Sequence, residues 1–437
     1  MNSLVNIDRQ SIWHPYTQHE TALPPIAIKS AKGAVLYGED GKEYLDLISS
    51  WWVNLHGHSH PKLVQAIKDQ AEKIQQIMFA GFTHEPAALF AEKLIQVANS
   101  NLSDKYFSKV FYTDDGSTSV EAALKIAHQS WKNQGENQRR IFFALDGAYH
   151  GDTFGAMSLG QSSGFFDNFK DLAFAVKTVK VPEHWCGKAA LAEEEGQILE
   201  EFSKQLKLFA TETVALIVEP LVLGASGMRC YRPQFLQALC EIARAAGLLV
   251  IFDEVMTGFG RTGKMFAYEH LDFVPDLVCL SKGITGGMLP LGATLVGEKL
   301  FKSFLGTSFS QALAHGHSYT ANPLACAVAL RSLELFSEEQ SLEKVAQISN
   351  WYQAHLAKLA ENEQVEKLRT LGTILAFDLK TDGAYGSQTS LDLRKFFLER
   401  GLLIRPLGNT IYLLPPYCIK ESQLIQAVNG IIQALIY

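Results

Sequence analysis

No stretch of this chain approaches the ~18 consecutive apolar residues of a membrane span. Basic residues do not dominate either: 39 Lys and Arg stand against 46 Asp and Glu, a formal charge of −7. That balance argues against a nucleic acid or an anionic membrane as the main partner, since such proteins carry a basic face. There is no low-complexity tract, no internal repeat and no Pro/Ser-rich linker. The six cysteines (Cys186, Cys230, Cys240, Cys279, Cys326, Cys418) are scattered and never spaced C-x-x-C. In a chain this size they read as reduced thiols rather than a disulfide framework. The start, Met1 to Asp8, lacks the basic and apolar regions of a signal peptide. The expectation is a cytoplasmic protein. No H-E-x-x-H metal pattern occurs.

What is present is an alternation of strand and helix signals. With 437 residues the chain is long enough for two domains with filled cores. Short apolar runs bounded by turn residues lie at Val110–Tyr112, Ile141–Leu145, Val214–Val218, Leu248–Phe252 and Leu277–Leu280. Near-continuous apolarity predicts strands buried on both faces of a mainly parallel sheet. Val120, Ala123, Leu124 and Ala127 share one face of a helix beginning near Ser119, and Gln234–Ala246 is a helical spacer of the kind a βαβ unit needs. The ends differ. Ala34 to Gly41 followed by Tyr44-Leu-Asp-Leu47 predicts a hairpin, and Ile374–Leu379 and Thr410–Leu414 predict strands after long helical patterns. The reading is an α/β fold: a large domain over 59–323 with a mainly parallel sheet, and a smaller α+β domain assembled from 1–58 and 324–437.

Two of the predicted strands carry chemistry at their ends. Leu248–Phe252 runs into Asp253, and Leu277–Leu280 runs into Ser281-Lys282. Parallel strands finishing side by side present both groups at the sheet mouth, where open α/β folds bind ligands. An acid with a lysine there is the pair that pyridoxal 5′-phosphate (PLP) enzymes need. The lysine forms the Schiff base, and the acid keeps the pyridine nitrogen protonated so that the ring accepts electrons. Asp114-Asp-Gly-Ser-Thr118 joins a strand to a helix start, where free N–H groups, Gly116 and the Ser117 hydroxyl suit a phosphate. Read alone, the same segment is an ordinary N-cap with Ser or Thr capping and Glu121 in the first turn. Tyr149, in Gly147-Ala-Tyr-His-Gly-Asp-Thr153, is an aromatic suited to stacking on a flat ring. His150 could stack or sit in the core, and Glu219-Pro220 could line the site.

Two patterns are decoys. Gly258-Phe-Gly-Arg-Thr-Gly263 matches G-x-G-x-x-G, but it neither follows its strand directly nor opens a helix, so it reads as a turn with Arg261 as an anchor. His56-Gly-His-Ser-His60 and His315-Gly-His317 suggest a metal, yet no cysteine joins them, and capping or packing histidines are expected.

With these segments in view, the chain resembles the class III (ω-amino-acid) aminotransferases of PLP fold type I, nearly end to end. Within that family Trp13-His-Pro-Tyr-Thr-Gln18, Ser49-Ser-Trp-Trp52, Gly147–Thr153, Thr257–Gly263 and Ile404-Arg-Pro406 are similar to the members that aminate 8-amino-7-oxononanoate using S-adenosylmethionine. The resemblance implies that Lys282, Asp253 and Tyr149 form the catalytic group. Gly116, Ser117, Tyr149, Val255, His317 and Ser318 would bind the cofactor beside them, with Val255 on the opposite ring face. Tyr16, Trp51, Trp52, Gly316, Arg405 and Tyr412 would contact substrate together with Tyr149 and Lys282. The loop Gly316-His-Ser318 would reach the neighbouring subunit of an obligate homodimer. Ser318 stands where the family pattern has threonine, keeping the hydroxyl. Gly286-Gly-Met-Leu-Pro-Leu-Gly292 departs from some adenosylmethionine users, which leaves lysine open as the donor.

Trp51 and Trp52 would then wall a long alkyl chain, and Arg405 would clamp its carboxylate. Desolvation beside a cationic ring should depress the Lys282 pKa. The competing readings are a class III enzyme for ornithine, 4-aminobutyrate or a diamine, a mutase or decarboxylase on the same fold, and a non-catalytic PLP-binding module.

Overall fold

The computed structural model describes residues 3–102, 105–183, 190–381, 383 and 385–436. Cys186 lies outside them. Of the other cysteines, Cys240, Cys279 and Cys326 are buried, Cys230 and Cys418 are half-buried, and all five are free thiols. Among the described residues no helix is long and apolar enough to cross a membrane.

A seven-stranded sheet forms the centre. Its spatial order is Phe107–Thr113, Gly292–Gly297, Leu277–Leu280, Leu249–Asp253, Thr213–Val218, Ile141–Leu145, Val176–Val179. Only Gly292–Gly297 runs antiparallel to its neighbours. The sequence reading omitted that strand and Val176–Val179. The apolar runs are strands because helices cover both faces. Thr213–Val218 and Leu277–Leu280 are buried at every residue, as two-sided burial demands. The helix Pro233–Ala245 starts on a proline that cannot continue the preceding strand and buries Phe235, Leu236, Leu239, Cys240 and Ala243 against the sheet.

The predicted hairpin forms from Val35–Gly38 and Glu43–Asp46, and Leu402–Leu403 joins its edge in parallel. A third sheet holds Val365–Leu371, Ile374–Leu379 and Thr410–Leu413. Ala34, Leu45 and Leu47 share one core with Ile348, Phe377, Phe397, Ile411 and Ile431, so the two chain ends pack together. The helix Pro323–Glu338 contributes Ala325, Cys326, Ala329 and Leu333 to the large central core instead.

Candidate active site

The site is built at the carboxyl ends of adjacent parallel strands, where the backbone stops pairing and side chains turn outward. Asp253 is the last residue of its strand and pairs in register with Cys279, so the neighbouring strand ends just before Lys282. Glu219 follows the strand on the other side, and Tyr149 and His150 follow the next one. Lys282 opens a short 3₁₀ turn, Lys282–Thr285, with φ +41. Its Nζ has no hydrogen bond or ion pair among the described residues and lies 5.2 Å from the Trp52 ring centroid. Burial lowers its pKa from the ordinary lysine value, while Asp253 and Glu219 pull the other way. That is the direction the sequence predicts.

Asp253 is fixed from two sides. His150 Nδ1 donates to Oδ2 at 2.6 Å, and the Val255 N–H donates to Oδ1 at 3.1 Å. His150 is buried, and its Nδ1 is spent on this carboxylate. Its Nε2 is buried with no partner among the described residues. Glu219 is also buried, its carboxyl accepting the N–H groups of Tyr149 at 2.9 Å and Gly224 at 3.0 Å. Burial, reinforced by Asp253, raises its pKa to about 7.

The helix below the site starts at Gly116, three residues before the point the apolar periodicity indicates. Asp115 and Thr118 form a reciprocal capping box, at 2.8 Å and 2.9 Å, which neither Ser117 nor Glu121 could supply. Capping by Asp115 satisfies Thr118 and leaves the Gly116 and Ser117 amides, which have no partner within the helix, facing outward. Gly116 has a steric reason as well: a Cβ there would stand 2.6 Å from Val255 Cγ1. Ser117 Oγ accepts the Thr153 N–H at 2.9 Å. Gly151, at φ +124, has no room for a Cβ beside Ser117. Glu121 instead accepts the Gly155 N–H at 2.6 Å, tying the helix to the loop that carries Tyr149.

An aromatic cluster stands over this floor. One face of Tyr149 is stacked on Phe166 at 5.7 Å. Tyr149 and Tyr16 both donate to Asp152 Oδ1, at 3.0 and 2.8 Å. Burial raises both phenol pKa values, Tyr16 to about 12. Trp51 lies edge-on to Tyr16 at 5.9 Å, with the Arg405 guanidinium 5.1 Å from its ring. Arg405 donates to the Tyr385 hydroxyl at 2.6 Å and forms no ion pair among the described residues. Trp52 is buried, and its Nε1 donates to the Tyr412 hydroxyl at 3.0 Å. Tyr412 is buried too, so it backs Trp52.

Gly316, His317 and Ser318 are not drawn to this centre. His317 Nδ1 contacts Asp114 at 3.0 Å, while Gly316 and Ser318 are exposed. The other patterned histidines scatter: His56 to Ser332, His58 to Asp46, His60 to Glu339. Among the described residues no group of three or more His, Cys, Asp or Glu is gathered to hold a metal. Arg261 is buried and donates to the carbonyls of Trp52, Asn54 and Pro415, so the glycine-rich turn is an anchor, as expected. Sequence reasoning missed Asp152, Tyr385 and Phe165, which lies edge-on to Tyr149 at 5.9 Å and to Tyr385 at 5.3 Å. Asp152 stood inside a motif already singled out, whereas Tyr385 follows a strand with no periodic signal around it.

Residues 16–435 match the family described as aminotransferase class-III. The adenosylmethionine-8-amino-7-oxononanoate aminotransferase of Synechococcus elongatus is 46% identical over 414 residues, covering 94% of this chain and 95% of that protein. The crystal structure of the enzyme of that name from Methanocaldococcus jannaschii superposes with a TM-score of 0.91 at 35% identity, over 99% of this chain and 98% of the other. An amine transaminase from an uncultivated Pseudomonas species, solved in its PLP-bound form, gives 0.89 at 28% identity, over 98% of both chains.

Proposed function

The chain belongs to the class III aminotransferases, and from that premise we propose that it converts 8-amino-7-oxononanoate to 7,8-diaminononanoate in biotin biosynthesis. S-Adenosylmethionine is the amino donor, pyridoxal 5′-phosphate the cofactor and the cytoplasm the setting. The observation that carries this reading is an aromatic wall with opposite needs at its two ends. Trp52 lies 5.2 Å from Lys282 Nζ, and Trp51 lies under Arg405, a guanidinium with no carboxylate partner among the described residues. An elongated apolar substrate ending in a carboxylate fits that wall.

The residues fit the cofactor. Asp253 keeps acceptor capacity for a pyridinium N–H after taking one bond at each oxygen. Gly116 and Ser117 offer helix-start amides to a phosphate, and Val255 packs beside Gly116 while its N–H holds Asp253. When bound, pyridoxal phosphate supplies the aldehyde that receives the amine and a ring that stores the electron pair. Lys282, its pKa lowered by burial, is the base that takes the proton from the donor's α-carbon and returns one to C7 of the acceptor. Asp253, held by His150, keeps its carboxylate aimed. Arg405 holds the acceptor's carboxylate, and Trp51 and Trp52 exclude water along its chain.

A homodimer completes this reading. Ser318 is exposed and has no hydrogen bond with Ser117 or Lys282 among the described residues, and Met78, Phe82, Phe309 and Tyr319 are exposed apolar side chains. We infer that the loop Gly316–Ser318 serves a partner's phosphate and substrate; sedimentation at low micromolar protein tests the assembly.

Mixing the PLP-loaded protein with single donors tests the reaction. S-Adenosylmethionine should bleach the visible cofactor band and release a keto product. Bleaching by lysine alone would reassign the donor. Bleaching only by ornithine or 4-aminobutyrate would overturn the assignment.

A further inference from the structure

The two tryptophans of the wall sit on a backbone that few sequences would adopt unaided. Ser49, Ser50 and Trp52 have φ of 52°, 62° and 68°. Ser50, with ψ −81°, is close to the strained form of the γ-turn. Three non-glycine residues of left-handed φ within four positions persist only where the surroundings fix them.

One carboxylate holds Ser50, the centre of this turn. Asp46, the last residue of the strand Glu43–Asp46, is fully buried. Its Oδ1 accepts the N–H groups of Ile48 at 3.3 Å and Ser50 at 2.9 Å. Its Oδ2 accepts the same Ser50 N–H at 2.8 Å and the Ser50 hydroxyl at 3.5 Å. His58 Nε2 also donates to Oδ2, at 2.8 Å. Elsewhere the turn is held by Ser49 Oγ on the Leu414 carbonyl, Trp52 Nε1 on the Tyr412 hydroxyl, Arg261 on the Trp52 carbonyl, and the N–H groups of Trp52 on Ile48 and of Val53 and Asn54 on Ser49, none of which touches Ser50.

We propose that Asp46 and His58 are a positioning pair for substrate selection: they hold the strained Ser49–Trp52 turn so that Trp51 meets Arg405 and Trp52 meets Lys282. Neither residue is among those assigned to substrate or cofactor. A buried carboxylate is held in one orientation by the donors that surround it, and His58 is the donor on the side away from Ser50's own segment. Loss of His58 therefore weakens the grip on Ser50, and the turn relaxes toward ordinary dihedrals with both indoles displaced. The inference rests on the reading of Trp51 and Trp52 as the acceptor's wall.

The test compares Asp46→Asn, His58→Ala and His58→Gln with Trp51→Ala, all as PLP-loaded protein. Asp46→Asn and His58→Ala should raise the acceptor KM about 10-fold, with a smaller change in kcat. Acrylamide should quench tryptophan emission more strongly in both. His58→Gln, which keeps an N–H donor toward Asp46, should recover most of the KM. If Asp46→Asn does not fold, the two His58 variants decide the matter alone. A lower melting temperature with acceptor KM and quenching unchanged overturns the proposal, because Asp46 and His58 would then be merely structural. If Trp51→Ala also leaves the acceptor KM unchanged, the wall reading itself fails. If Trp51→Ala raises it while the pair variants do not, only the positioning role fails.

Discussion

His150 Nδ1 donates to Asp253 Oδ2 at 2.6 Å, with both side chains buried. The contact crosses from the loop after Ile141–Leu145 to the end of Leu249–Asp253, two strands that are not neighbours in the sheet. It orients the carboxylate expected to face the cofactor nitrogen, and it requires that His150 carry its proton on Nδ1.

Removing that imidazole should therefore act on chemistry more than on substrate binding. His150→Ala loses a hydrogen bond to a charged group, worth about 1.5–3 kcal/mol, so kcat should fall roughly 10- to 100-fold. A shift of the bound cofactor's absorbance with pH should accompany it. An unchanged spectrum and kcat would show that Val255 alone suffices to hold Asp253.

Lys282→Ala should bind the cofactor without the visible band of the lysine-bound form and should give no turnover. Its described environment has no second amine positioned to take over, since Arg261, the buried cation that acts on Lys282, is spent on three backbone carbonyls. Residual single-turnover transfer at more than about a thousandth of the wild-type rate would reassign the base.

Arg405→Ala should raise the acceptor KM roughly 10- to 100-fold, the worth of charge-assisted hydrogen bonds to a carboxylate. Arg405→Lys should recover only part, because a point charge loses both the planar fork and the stacking over Trp51. Equal KM values for all three forms would place the substrate carboxylate elsewhere.

Glu219 gives a pH dependence of stability with a definite sign. Its folded pKa of about 7 lies above the ordinary 4.5, burial being the first cause. The folded state thus binds a proton that the unfolded state has released. This contribution is complete below about pH 4.5 and is lost as pH rises to about 7, on the order of 3 kcal/mol in all. Glu219→Gln cannot titrate, so thermal melts from pH 5 to 8 should show a flatter slope than wild type. Identical slopes would trace the dependence to another group.

Strand positions were legible because burial on both faces leaves a continuous apolar run, and Ile141–Leu145 and Leu277–Leu280 form with the ends read from the sequence. The start of the helix at Gly116 was not, because Asp115 and Thr118 set it through a reciprocal cap rather than through apolar spacing. Gly292–Gly297 escaped for a related reason. It opens with a glycine demanded by the Asp115 carbonyl, 2.2 Å from any added Cβ, and its glycines mask the apolar run between them.

The sequence by itself determined which chemistry the sheet mouth carries: an acid and a lysine at the ends of two apolar runs, with a helix start for an anion. Such signals are local, since hydrophobic period and turn chemistry are written within a dozen residues. Only the tertiary structure decided that His150 serves Asp253, that Arg405 stands over Trp51 and that Asp46 holds the turn beneath the wall. Those pairings join segments 12 to 354 residues apart. They depend on strand order, register and the docking of the chain ends, which no local pattern specifies.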